Sequence, residues 1–151
     1  MTDRLKWLEP AGEGVLPMVL DTDAYNEVDD QFALAYALLS PERLKVEAVY
    51  AAPFLNKRVA TPREGMEKSL LESKRVIALT GKETPVLAGQ SGFGRPEQLS
   101  PAVVDLIDRA RQPRQTPLYV VCIAAPTNVA CALQAAPEIA RHISEIGRAH
   151  V

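Results

Sequence analysis

Residues 19–30 read VLDTDAYNEVDD, so Asp21, Asp23, Asp29 and Asp30, with Glu27 among them, crowd in directly behind an apolar run. Two physical readings compete for this crowding. Asp29 and Asp30 fall in the first turn of a predicted helix, where the dipole favours anions by about 0.3 to 1 kcal/mol. Asp21 and Asp23 sit on the rim of a predicted buried strand, where like charges repel and raise one another's pKa. A bound cation resolves that conflict. Ca²⁺ takes about six to eight oxygen ligands, carboxylates and backbone carbonyls included, so Asp23, Asp30 and a Thr127 carbonyl form a sensible partial shell. Mg²⁺ is the alternative ion, with fewer protein contacts, and simple helix capping remains the bland alternative for one or two of the carboxylates.

The elements that must hold these groups alternate between strand and helix. VLPMVL (15–20) is a short, almost continuous apolar run, as expected of a strand buried on both faces. A helix is predicted from about Glu27 to Leu39, with Asn26 as its cap and Val28, Phe32, Ala35 and Leu39 on one face. LKVEAVYAA is the second predicted strand. The next helix runs from about Arg63 to Gly81, with Met66, Leu70 and Ile77 on one side and Gly81 as terminator. PVLAG is a third strand, and SPAVVDLIDRAR a helix opened by Ser100 with Pro101 at its first position. PLYVVCIA is a fourth strand, TNVACALQAA a helix closed before Pro137, and His142 is placed on a last helix. This alternation predicts an α/β fold: an open, mostly parallel, Rossmann-like sheet with helices on both faces. Ligands in such sheets bind beyond the carboxyl ends of the strands. DTDAYNEVDD and APTN (125–128) would then share one rim.

Composition excludes several classes. The chain has 151 residues, 47% of them hydrophobic, which suits one globular domain with a real core. Lys and Arg number 17 against 19 Asp and Glu, and no basic stretch is dense enough to track a phosphate backbone, so no nucleic-acid partner is expected. No apolar segment reaches the roughly 20 residues of a membrane span, and the N-terminus lacks a signal-peptide core; a cytoplasmic protein is expected. Cys122 and Cys131 lack metal-type spacing and read as reduced, structural thiols. GQSGFGRP (89–96) has three glycines but no helix directly behind it, and so reads as a flexible loop rather than a phosphate cradle. Arg109, Arg111 and Arg114 are explained by a helix end and solvation, and Trp7 is expected to pack on the domain.

LDTDAYNEVDDQFALAYAL resembles the N-terminal signature of the inosine-uridine preferring nucleoside hydrolase family, usually D-T-D-P-G-x-D-D before a small apolar helix. IAAPTNVACAL is similar to that family's second block, usually G-P-L-T-N-[IL]-A-x-A-L. The resemblance runs from Val15 to about Ile143. It implies hydrolysis of the N-glycosidic bond of ribonucleosides, with Ca²⁺ as cofactor. Asp23 matches the aspartate that ligates Ca²⁺ and takes the proton of the attacking water, Asp30 the other aspartate ligand, and Asp29 the group that holds ribose hydroxyls. Thr127 matches the threonine whose main-chain carbonyl is a ligand. Asp21 and Asn128 match supporting positions behind the ligands, and Asn56 lies within a residue of a sugar-contacting asparagine.

Three departures qualify the resemblance. AYNEV stands where the family has P-G-x and lengthens the gap between Asp23 and Asp29 by two residues, so another loop must replace the tight turn. AYAAPFLN replaces the usual V-A-G-N stretch. Family members also run to roughly twice this length, with further site residues in their second half, so the activity, and a dimeric or tetrameric assembly, are expected of a full-length parent rather than of this chain. Residues 146–151, IGRAHV, correspond to one reading frame of a common sequencing-adapter stretch and are expected to be non-native. Two other functions fit parts of the pattern: a non-catalytic nucleoside- or ribose-binding protein, and a haloacid-dehalogenase-like Mg²⁺ phosphatase using Asp21 as nucleophile and Asp23 as acid/base.

Overall fold

The computed structural model of the protein describes residues 12–94 and 97–147; Trp7 and residues 148–151 of the IGRAHV stretch lie outside them. The strands are β1 (Leu16–Thr22), β2 (Leu44–Ala51), β3 (Val86–Ala88), β4 (Leu118–Cys122) and β5 (Ile143–Gly147). They form one sheet in the order β3-β2-β1-β4-β5, with every pairing parallel. The helices are α1 (Val28–Leu38), α2 (Pro62–Thr80), α3 (Pro101–Arg111) and α4 (Thr127–Ala135). Alternation along β1 explains the layering. Met18 and Leu20 pack with Leu34 and Leu38 of α1 and Val76 and Ile77 of α2. Val19 belongs to the opposite core, with Val103 and Leu106 of α3 and Val129 and Ala132 of α4. Chain connections leave β1 toward β2 on one side and return to β4 on the other, which opens a crevice at the carboxyl ends of β1 and β4.

Local chemistry sets most element ends. Thr61 accepts a hydrogen bond from the Glu64 N–H (3.1 Å) at the start of α2, while the Glu64 carboxylate accepts from the Ala60 N–H (2.7 Å). Gly81 closes α2 at φ 67°, a left-handed conformation that glycine adopts without strain. Ser100 caps α3 by accepting from the Val103 N–H, with Pro101 behind it.

Three expectations are corrected. Asn26 does not cap α1: Glu27 is the cap residue, it makes no side-chain cap bond, and the Asn26 amide is used elsewhere. The buried face of α1 is Leu34, Ala37 and Leu38, whereas Val28, Phe32 and Leu39 are 63%, 72% and 59% exposed. The segment FALAYALL is apolar on almost every side, so periodicity could not select a face; the sheet takes the side where leucines alternate with small alanines. His142 is not helical either. It follows a 3-10 turn (Pro137–Arg141) and leads directly into β5, whose Ile146 and Gly147 pair with Val121 and Cys122.

One irregularity ties the sheet to α3. The register between β1 and β2 shifts after Met18, whose partner is Val46, to Val19, whose partner is Ala48, which leaves Glu47 as the extra residue of a bulge. Its side chain, 8% exposed, accepts two hydrogen bonds from the Arg114 guanidinium (3.0 and 2.7 Å) and one from Arg109 (3.4 Å). Arg109 also donates to Asp105 (2.6 Å), which accepts from the Tyr50 hydroxyl (2.7 Å). Arg109 and Arg114 thus form a structural clamp rather than a solvated helix end, whereas Arg111 is exposed in the last turn of α3 and pairs with Glu138. The Arg114 bonds hold the Glu47 carboxyl down at about 2 from its ordinary 4.5, against the effect of burial. A carboxylate whose pKa is depressed on folding contributes stability that is present above the unfolded value and lost as pH falls through the folded one. Glu47→Gln should therefore cost about 3 kcal/mol at pH 7. In denaturant titrations the gap from wild type should narrow steadily as pH falls from about 4.5 toward 2; a gap independent of pH would refute the clamp.

Candidate functional site

The chain crosses the crevice twice. β1 delivers Asp21 and Thr22 to its carboxyl end, Asp23 opens the five-residue loop that follows, and α1 then starts with Asp29 and Asp30 in its first turn. A cleft of about 430 Å³ opens there, lined by Asp23, Asp29 and Asp30, by Phe54 and Leu55 beyond β2, by Phe93, and by Ile123, Ala124 and Ala125 beyond β4. Asp23 and Asp30 are buried while Asp29 is exposed. The Thr22 hydroxyl donates to the Asp30 carboxylate (2.6 Å) and fixes one of its oxygens. Burial nevertheless pushes the Asp30 carboxyl up to about 6, against the Thr22 bond, and the charges of Asp23, Asp29 and Glu27 add to the rise. The cluster is electrostatically overloaded as it stands. The carboxylate oxygens of Glu27, Asp29 and Asp30 lie within 4.8 Å of one another, and with Asp23 on the same cleft the donors are all hard oxygens. That set suits a hard divalent cation of the Ca²⁺ or Mg²⁺ kind, whose charge would relieve the repulsion.

Behind the cleft lies a buried polar lock. Asp21 is fully buried; its carboxylate accepts from the Asn128 amide (2.8 Å) and from the Cys122 thiol (3.6 Å). Burial pushes the Asp21 carboxyl up to about 7 despite those two bonds, and Asp23 adds to the rise. The same Asn128 amide group reaches the Ala51 carbonyl (3.4 Å), and its oxygen accepts from the Gln90 N–H (2.8 Å). One side chain at the start of α4 thus joins the ends of β1, β2 and β3. Gly89 makes room for it. A Cβ there would meet the Ala51 carbonyl oxygen at 2.0 Å and the Asn128 amide at 2.5 and 2.7 Å. Gly89→Ala is therefore expected to cost about 3 kcal/mol in a thermal melt; a neutral result would show that the lock is loose.

The other expected site residues are placed as follows. Thr127 is the first residue of α4, two positions beyond the Ala125 wall and not part of the cleft lining. Asn56 is exposed beside Leu55, and its amide donates to the Asn26 side-chain oxygen (2.6 Å). Asn26 in turn donates to Asp23 (3.0 Å). Sequence reasoning missed Asn26, Thr22 and Glu27 as site residues. Thr22 and Glu27 are flagged by nothing more than their adjacency to the aspartates, and Asn26 carried a competing signal as a cap. Cys122 and Cys131 are both free and buried, as expected.

A sequence model of the inosine-uridine preferring nucleoside hydrolase family matches residues 18–147, which include both strand-end loops. The chain belongs to that family. Solved family structures share the fold. A purine-preferring ribonucleoside hydrolase from Gardnerella vaginalis is 25% identical, with a TM-score of 0.70 over 89% of this chain and 49% of its own. A plant nucleoside hydrolase is 21% identical, with a TM-score of 0.65 over 87% of this chain and 47% of its own. The inosine-uridine preferring nucleoside hydrolase from Bacillus anthracis is 18% identical, with a TM-score of 0.65 over 88% of this chain and 50% of its own. The chain thus spans about half the length of the solved nucleoside hydrolases it matches. No curated protein sequence matches it. Among the described residues no helix is long and apolar enough to cross a membrane.

Proposed function

We propose that this chain carries the metal- and ribose-binding wall of a nucleoside N-ribohydrolase, which splits a ribonucleoside and water into ribose and base. The observation that carries this reading is the convergence of Asp23, Asp29 and Asp30 on one cleft at the sheet's switch point, within a chain of this family. Asp23 and Asp30 are the side chains proposed to hold Ca²⁺, and the family pattern adds a main-chain carbonyl from Thr127, just beyond the cleft lining. Bound there, the ion would acidify a water and draw in ribose hydroxyls. Asp23 accepts the proton that the water gives up, and Asp29, exposed at the cleft mouth, accepts hydrogen bonds from the ribose hydroxyls. Cleavage of an N-ribosidic bond develops positive charge on the sugar, so a wall of carboxylates favours the transition state over the neutral substrate. The activity is proposed for a polypeptide of the family's full length.

The phosphatase alternative finds no support. It needs Asp21 as an accessible nucleophile, and Asp21 is fully buried and engaged by Asn128 and Cys122. Calorimetric titration of this chain with Ca²⁺, followed by a ribose analogue, tests the binding half of the proposal. A reducing-sugar assay with inosine and uridine on a family-length protein tests the catalytic half. Binding of both without cleavage would favour a non-catalytic nucleoside binder; a folded chain that binds neither would sink the proposal.

A further inference from the structure

The loop that replaces the family's tight turn has its own internal support. Asn26 donates through Nδ2 to Asp23 Oδ2 (3.0 Å), and its backbone N–H closes a turn on the Asp23 carbonyl (2.6 Å). The Asn26 side-chain oxygen accepts from Asn56 Nδ2 (2.6 Å), and the Asn56 oxygen accepts from the Arg58 N–H (2.8 Å). Arg58 returns to the same loop, donating through its guanidinium to the Asn26 carbonyl (2.5 Å). Both ends of this chain have fixed polarity. An ionised carboxylate can only accept, and a backbone N–H can only donate, so each amide between them has one orientation that satisfies both neighbours. The Asn26 NH₂ must face Asp23. The two asparagines come from the loops after β1 and β2 and are 30 residues apart, so neither loop can shift without breaking the series.

We propose that Asn26 and Asn56 form a positioning pair, which fixes the Asp23 carboxylate for cation and water where this chain lacks a tight turn. The proposal rests on the nucleoside hydrolase reading above and deepens it. Asn56 then acts through Asn26, toward which its amide NH₂ is directed, while its oxygen is held by the Arg58 N–H. Neither residue is buried, so the pair adds orientation rather than core stability.

A double-mutant cycle tests it. Asn26→Ala, Asn56→Ala and the double variant are titrated with Ca²⁺ by calorimetry, and each melting temperature is measured. Hydrogen exchange of the Asn26 backbone amide is followed in the metal-free chain. Each single variant should weaken Ca²⁺ binding about 10-fold, in the range that residues orienting a ligand contribute. The double variant should be no weaker than Asn26→Ala alone, and melting should shift by no more than a few degrees. Asn56→Ala should also speed exchange at Asn26 in the metal-free chain. Additive losses would overturn the proposal, because they would mean that Asn56 acts independently. An Asn26→Ala variant with wild-type affinity would overturn it too. A wild-type chain that binds no Ca²⁺ overturns the functional reading itself; the pair is then decided by exchange alone, and unchanged exchange in Asn56→Ala overturns it as well.

Discussion

Asp23→Asn should leave the chain folded, and more stable without metal, while weakening Ca²⁺ binding by at least about 100-fold. The two effects have opposite signs for one reason. The Asp23 charge raises the carboxyl pKa of both Asp21 and Asp30, so in the folded chain Asp23 repels one carboxylate at the end of β1 and another in the first turn of α1. The amide is isosteric and still offers an oxygen to Asn26, so the substitution removes charge and little else. Relief of repulsion should add roughly 0.5 to 1 kcal/mol to metal-free stability, at least the scale of a single exposed charge contact. Loss of a charged ligand costs more than the 10- to 100-fold in affinity that orienting residues contribute. In a family-length enzyme, loss of a general base should lower kcat by about 10²- to 10⁴-fold. Thermal melts with and without Ca²⁺ read both effects. A variant that is destabilised in the absence of metal would show that Asp23 serves the fold, and would remove the argument for a cation.

The second large effect is expected at Asn128→Ala. Its amide is the donor to a fully buried carboxylate, and its oxygen is the acceptor for a buried backbone N–H. Truncation leaves the Asp21 carboxyl with only the Cys122 thiol and the Gln90 N–H without its acceptor. Leaving one partner of a buried polar set unsatisfied costs about 3 to 5 kcal/mol when a charge is involved. That is a large share of the 5 to 15 kcal/mol by which domains are commonly stable. Urea titration should show a lower midpoint with an unchanged slope. A loss below about 1 kcal/mol would mean that water replaces the amide, and that Asn128 is dispensable to the fold.

The open parallel sheet and the rim on which the carboxylates gather were legible because β1 and β4 are continuous apolar runs and the polar residues begin where they stop. β5 was not legible. ISEIG offers two apolar residues among small and charged ones and lies at the sheet edge, half-exposed, so its identity comes from pairing with β4 rather than from its own pattern. The face of α1 was missed for the converse reason, an excess of apolar residues. That Asp23, Asp29 and Asp30 gather on one cleft was readable from their crowding behind β1. Asn26 was not, because a polar residue before a helix signals a cap whatever its side chain does, and its other side-chain partner, Asn56, is 30 positions away. The clamp on Glu47 was missed because the bulge that sets it apart from its neighbours is a property of two strands, not of one.

The Asn128 lock also sets an order of events. Asp21 and its partner are 107 residues apart, and domains emerge from the ribosome amino end first. While β1 to β3 are being made, the Asn128 amide that Asp21 accepts from in the folded chain does not yet exist. When α4 follows, Asn128 closes over Asp21, and the loop acquires a fixed floor. The cleft is therefore a late product of synthesis, built from its earliest residues.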